Sequence, residues 1–269
     1  MHSAAEWKAI NKAAKHPLFA AFVFLSILNV ECDELHIFYL GISQYFIGSI
    51  CKIIVYRFFR GTLDERVSAL WSRIMLKYDE LGTEHQFTAM SSTTFLHPTK
   101  PVDTQPKIKG QGSEIKGVVE PLMAVWNDLK DTSTHDGKVS EALFSLSKTQ
   151  EILTDHKFDA FLPMDVSVNF VKHTDDFLEA YSWLGVAADG RNEFLFTGAP
   201  KLHWAWHLAD RSRFLNPRVV ATFSGEHFVQ NMKRIAAKCA SASPLHAIPI
   251  KVMEKNRWGQ FLDDKQCTH

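Results

Sequence analysis

Asp33 and His36 are the first residues whose types and spacing could do chemistry, within the stretch NVECDELHIFYLGISQYFIGS at positions 29–49. Apolar residues Phe24, Leu25, Ile27, Leu28 and Val30 run into Asp33. A hydrophobic strand ending in an acid, followed by a helix carrying a histidine, would present a ligand to a metal site. A capped, buried helix without chemistry is the alternative. Far downstream, His203 and His207 stand at i and i+4 in PKLHWAWHL and so project from one helix face. That spacing can bind a metal, as on a His-Glu-x-x-His helix. No glutamate lies between them and Trp204 and Trp206 flank them, so a structural role near an active centre is the expectation.

Cations form the second group. Lys107 and Lys109 sit beside Gly110 and Gly112, where they could cradle a phosphate backbone, although the pattern matches no phosphate-loop spacing. A flexible lead-in with Ser113 as a helix cap is the plainer reading. Lys233, Arg234, Lys238, Lys251, Lys255 and Arg257 make the C-terminal portion the most basic. They read as a solvated face or a DNA backbone contact.

The elements that must position these residues are mostly helical. Residues 1–16 read as a short amphipathic helix, 26–30 as a strand, and 35–59 as a long buried helix loosened at Gly41 and Gly48. Asp64 can cap the next helix. In that helix Val67, Leu70, Trp71, Ile74, Met75, Tyr78 and Leu81 recur with helical period, which predicts a core-facing stripe. Residues 86–112, broken by Pro98, Pro101 and Pro106, read as a linker. Further stripes follow around Leu122 (with a kink at Pro121), around Leu143 after a turn at Asp136-Gly137, and around Phe177 behind Pro163, stopped at Gly185 and the Asp189-Gly190 turn. Pro200 opens the helix bearing the histidine pair. Residues 218–223 (RVVATF) read as a strand, Glu226 begins a helix through Lys238, and a last helix runs over about 247–261.

Composition sets outer limits. The chain has 269 residues, 46% of them hydrophobic, enough for one large domain or two modest ones. Thirty Lys and Arg balance thirty Asp and Glu, which counts against a strongly basic nucleic-acid binder without forbidding a local patch. Cys32, Cys51, Cys239 and Cys267 form no Cys-x-x-Cys pair, as suits a reducing nuclear or cytoplasmic compartment. The apolar runs 18–28 and 35–56 raise the question of a signal peptide or membrane anchor. His36, Ser43, Gln44, Ser49 and Lys52 interrupt the second run, so buried core is the expectation rather than a membrane span.

Asp33-x-x-His36-x-x-x-Leu40-Gly41, followed by Gln44-Tyr45-Phe46 and Gly48-Ser49, resembles the second-aspartate segment of cut-and-paste transposases with a ribonuclease-H-like (DDE) core, of CACTA type or related. His16-Pro17-Leu18-Phe19 looks like its lead-in. The blocks Pro200-Lys201-Leu202-His203…His207, Phe214-Leu215-Asn216-Pro217-Arg218 and Phe223-Ser224-Gly225-Glu226 are similar to the family's C-terminal part. The resemblance implies that Asp33 and Glu226 bind Mg²⁺ or Mn²⁺ as catalytic acids, with His36 beside them. It also raises the reading of Lys107 and Lys109 as contacts to DNA at element ends, which Lys233 and Arg234 on the basic C-terminal face would join, while His203 and His207 support the site, and it leaves room for a homo-oligomer. Two cations about 3.5–4 Å apart would drive in-line phosphodiester attack.

The implied fold is mainly α. A helical insertion domain (61–199) would be attached to an incomplete ribonuclease-H-like α/β core with one or two short strands, divided between 1–60 and 200–269. The family carries its first aspartate on an opening strand well upstream of the acid-x-x-His step. The 32 residues before Asp33 offer no acid at a strand end. The expectation is therefore a truncated remnant unable to cleave DNA by itself. A non-enzymatic all-helical interaction protein is the alternative.

Overall fold

A computed structural model describes residues 33–197, 200–222 and 233–240, together with 244, 247–248, 250–255 and 257. The expected helix at 1–16, the expected strand at 26–30, and Glu226 lie outside the described residues. The chain divides into two compact units, Met1–Ala221 and Thr222–His269. In the second unit, residues 233–240 are helical with Cys239 buried, and 250–255 are helical again.

The first unit is mainly α. Its helices are α1 (Leu35–Ser43, π-wound), α2 (Gln44–Arg57), α3 (Leu63–Leu81), α4 (Ser92–Phe95), α5 (Gly112–Gly117), α6 (Val119–Leu129), α7 (Thr134–Asp155), α8 (Met164–Asp189) and α9 (Lys201–Arg211). Helices α7 and α8 pack along their length. Around them α6 leans on α7 and α3, while α9 bridges α8 and α1. No β-strand occurs among the described residues, so the expected ribonuclease-H-like α/β core has no support there. Residues 218–222 correct that expectation directly. Although β-branched, they follow Pro217, whose fixed φ suits a helical first position, and the Asn216 side chain caps the Arg218 N–H at 3.0 Å. The result is a 3₁₀ turn over Pro217–Val220.

Helices α1 and α2 run on as one apolar rod. By length and composition the Leu35–Arg57 stretch could cross a membrane, and 83% of its most apolar window is buried inside the protein. Its two predicted loosening points are sites of close approach instead. A Cβ on Gly48 would lie 2.9 Å from the Lys107 amide nitrogen, and one on Gly41 only 2.7 Å from both the His36 carbonyl and the Lys201 stem. The chain passing Gly48 is the supposed linker. Phe87, Met90, Phe95, Leu96 and Ile108 are buried, and the Ile108 N–H donates to the Gln44 carbonyl at 2.9 Å. Residues 86–112 are therefore a strap on α2, because five buried apolar side chains on either side of the prolines outweigh the turn chemistry.

Three smaller corrections share one cause: local capping chemistry sits a few residues from where the pattern first suggests. Thr62 and Glu65 form a capping box for α3, ahead of Asp64. Gln111 and Glu114 do the same for α5, ahead of Ser113. Ser133 caps α7, placing Asp136-Gly137 inside its first turn rather than in a turn before it. The chain breaks at Val118, so Pro121 falls in the first turn of α6, where its missing N–H costs nothing. Gly185 does not interrupt α8, which ends at the expected Asp189-Gly190 turn. In α3, Val67, Leu70, Ile74 and Tyr78 are buried, whereas Met75 and Leu81 at the stripe's edge are exposed.

Candidate functional site

Two of the quoted segments, 33–49 and 200–218, meet in the first unit, while 16–19 and 223–226 lie outside the described residues. Lys201 Nζ, at the start of α9, donates to the carbonyls of His36 (2.8 Å) and Leu40 (3.2 Å) in α1. The π-winding of α1 widens its turns, and Gly41 leaves the room through which the lysine stem passes. Burial and the neighbouring Lys107 hold the Lys201 ammonium below its ordinary pKa. Lys107 Nζ itself lies 5.2 Å from the Tyr45 ring centre, a cation–π distance.

Asp33 opens α1. Its Oδ1 accepts from the Leu35 N–H at 3.1 Å, and its carboxylate hydrogen-bonds His36 Nδ1. His36 is exposed and Asp33 half-buried. The neighbouring Glu34 turns inward and is fully buried, with Arg218 Nη1 3.6 Å from its carboxylate. Burial raises the Glu34 pKa against the opposing pull of Arg218, Tyr39 and Lys116. Burial and Glu34 together push the Tyr39 hydroxyl well above its usual value. Sequence reasoning missed this acid, because the resemblance pointed to its neighbour and a lone Glu after Asp has no pattern.

His203 and His207 lie on α9, with their Nε2 atoms 2.9 Å apart. His207 is held below its ordinary pKa by burial, His203 and Arg211, against Asp210. No group of three or more His, Cys, Asp or Glu able to hold a metal occurs among the described residues. A Mg²⁺ site needs several carboxylates. Here Asp33 offers one carboxylate already engaged as a cap, and Glu34 faces the interior. The described residues alone therefore do not fit a two-metal centre. Of the cations expected on DNA, Lys107 and Lys109 flank Ile108 on the strap, where Lys109 Nζ donates to the Thr93 carbonyl at 2.9 Å. Lys233 and Arg234 are exposed on the helix of the second unit.

A second candidate site lies at the other end of the α1–α2 rod. Lys52, Tyr56, Arg57, His135, Arg191 and Phe194 help line a cleft of about 550 Å³. Lys52 Nζ donates to the Val102 carbonyl at 2.7 Å, and burial lowers its pKa against Asp103 and Glu193. Arg57 pairs with the buried Asp136 at 2.6 Å, which holds the guanidinium charged. His135 Nε2 is buried without a hydrogen-bond partner. The wall is a strap in which Asn192 (φ 54°) and Phe196 (φ 49°) adopt left-handed backbone. That conformation is unusual for a bulky residue. Phe196 is held there by the Ser49 hydroxyl, which accepts from its N–H at 3.1 Å, and by the rings of Phe46 and Tyr181. These groups come from four separate stretches, so no local signal could have assembled them.

No protein-family model, curated protein or solved structure matches the chain. The assignment therefore rests on the residues and their geometry.

Proposed function

We propose that the chain is a transposase-related DNA-handling protein in which the helical body is an insertion between segments that carry the site. The observation that supports this reading best is the Lys201 bridge to the carbonyls of His36 and Leu40. It joins two motif segments about 160 positions apart, and Arg218 of a third segment reaches Glu34. Neighbouring segments in a transposase-like centre would have to converge in this way. In this reading Lys107, over the Tyr45 ring, and Lys109 bind phosphates on the strap along α2. The activity in this reading is DNA binding rather than strand cleavage.

The test is fluorescence anisotropy of a labelled duplex oligonucleotide across a salt series, with a nicking assay in Mg²⁺ and Mn²⁺ alongside. Two phosphate contacts predict a log–log salt slope of about −2. The double variant Lys107→Glu/Lys109→Glu should bind about tenfold or more weakly. Nicking that disappears in Asp33→Ala and Glu226→Ala would extend the reading to a working nuclease. Absence of duplex binding even at low salt would leave the second reading, a helical interaction protein. What favours that alternative is the use of the Asp33 carboxylate as a helix cap.

A further inference from the structure

The helix α9 carries a feature that neither DNA binding nor the acidic pair uses. His203 and His207 direct their Nε2 atoms at one another, 2.9 Å apart, with ring centres separated by 4.4 Å and ring planes at 84°. His203 is exposed and His207 half-buried, so the point between them is open to solvent. Two neutral imidazoles in this arrangement share a single proton, one ring donating and the other accepting. A cation placed there would meet two lone pairs instead.

We propose that His203 and His207 form a bidentate site for a borderline divalent transition metal, Zn²⁺ or its neighbours Ni²⁺ and Cu²⁺. Zinc–imidazole bonds of ~2.0–2.1 Å at a tetrahedral angle put two nitrogens roughly 3.3 Å apart, so the rings need open by only about 0.4 Å. Because the pair spans one turn of a single helix, the backbone already fixes the ligand spacing. No further His, Cys, Asp or Glu completes a group of three among the described residues. As far as the described residues go, the remaining coordination positions fall to water or to a further ligand, as in a zinc site with open positions. Imidazole donors suit Zn²⁺, Ni²⁺ and Cu²⁺, whereas Mg²⁺ prefers oxygen and retains its water. The site is thus distinct in chemistry from the Mg²⁺ or Mn²⁺ centre implied by Asp33 and Glu226. Trp204 and Trp206, half-exposed with ring centres 5.8 and 5.1 Å from that of His207, stand beside it.

The experiment is isothermal titration of the full chain with Zn²⁺, run on the wild type, His203→Ala, His207→Ala and the control His36→Ala. Cu²⁺ quenching of tryptophan fluorescence and far-ultraviolet circular dichroism accompany each titration. One Zn²⁺ should bind the wild type and His36→Ala alike, unaffected by excess Mg²⁺. Either α9 variant, with helicity intact, should bind at least about tenfold more weakly and lose the Cu²⁺-quenched part of its emission. If the α9 variants lose helicity, His203→Gln and His207→Gln replace them, and the same loss is required. Zinc binding of unchanged affinity in folded α9 variants, or no saturable binding by the wild type, would overturn the proposal. Neither result depends on whether the protein binds DNA.

Discussion

The two ends of the Leu35–Arg57 rod are built on opposite plans. At its N-terminal end, α1 is π-wound, its carbonyls are held from outside by Lys201, and Asp33 and His36 lie towards solvent. At its C-terminal end, α2 is regular, and Lys52 and Arg57 face a cleft where fixed carbonyls and a buried carboxylate hold them. One end displays sequence-adjacent groups on a surface; the other gathers sequence-distant groups into a concavity. The contrast teaches that a local motif and an enclosed site need not coincide. It also explains why the resemblance drew attention to only one of them.

The largest effect expected is from Phe46→Ala. Its ring lies 5.3 Å from Phe177, 5.8 Å from Tyr181 and 5.9 Å from Phe196, in the core between the two ends. Loss of about 3–5 kcal/mol, read from urea unfolding, is expected. Amide exchange should rise at both ends; a rise at only one would show that the rod does not couple them.

Arg57→Ala should come next and act at the cleft alone. It leaves the fully buried Asp136 carboxylate without its cation. Breaking a buried pair costs about 3–5 kcal/mol, but Arg57 is 37% exposed, so water takes up part of the loss and about 1–3 kcal/mol is expected. Chemical shifts around residues 131–136 should move while those of α1 stay put.

Lys201→Met tests the opposite end. It strips two carbonyls of a charged donor, for a loss of about 1–2 kcal/mol in thermal or urea unfolding. Amide exchange should accelerate over 36–45 and remain unchanged over 52–57. A uniform acceleration would erase the distinction between the ends.

The smallest expected effect is a slope against pH. Glu34 has its pKa raised by burial, so the folded state holds the proton more tightly than the unfolded chain. That group's stabilising contribution is present below the ordinary carboxylate value and is lost as pH rises through the raised folded one. Thermal unfolding from about pH 4 to about pH 8 should show this decline in the wild type. Glu34→Gln should flatten it, and an unchanged slope in the variant would remove Glu34 from the account.

Much of this architecture was legible from the chain alone. The periods placing Val67, Leu70, Ile74 and Tyr78, or Phe170, Phe177, Tyr181 and Leu184, on buried faces are local properties of helices, and the structure buries all eight. Pro163 and Pro200 marked the starts of α8 and α9 for the same reason. The i, i+4 spacing alone put His203 and His207 on one face, and α9 keeps them there. Tertiary structure decided the rest. Residues 86–112 look like a linker until Gly48 gives their backbone a place to lie, and 218–222 look extended until Pro217 and Asn216 turn them. Glu34 becomes a buried acid only because Arg218 returns to it from far along the chain. The cleft beside Lys52 exists because four distant stretches close around it. A helical period acts over four residues and can be read in order, whereas a charge or a cavity takes its character from whatever the folded chain brings next to it.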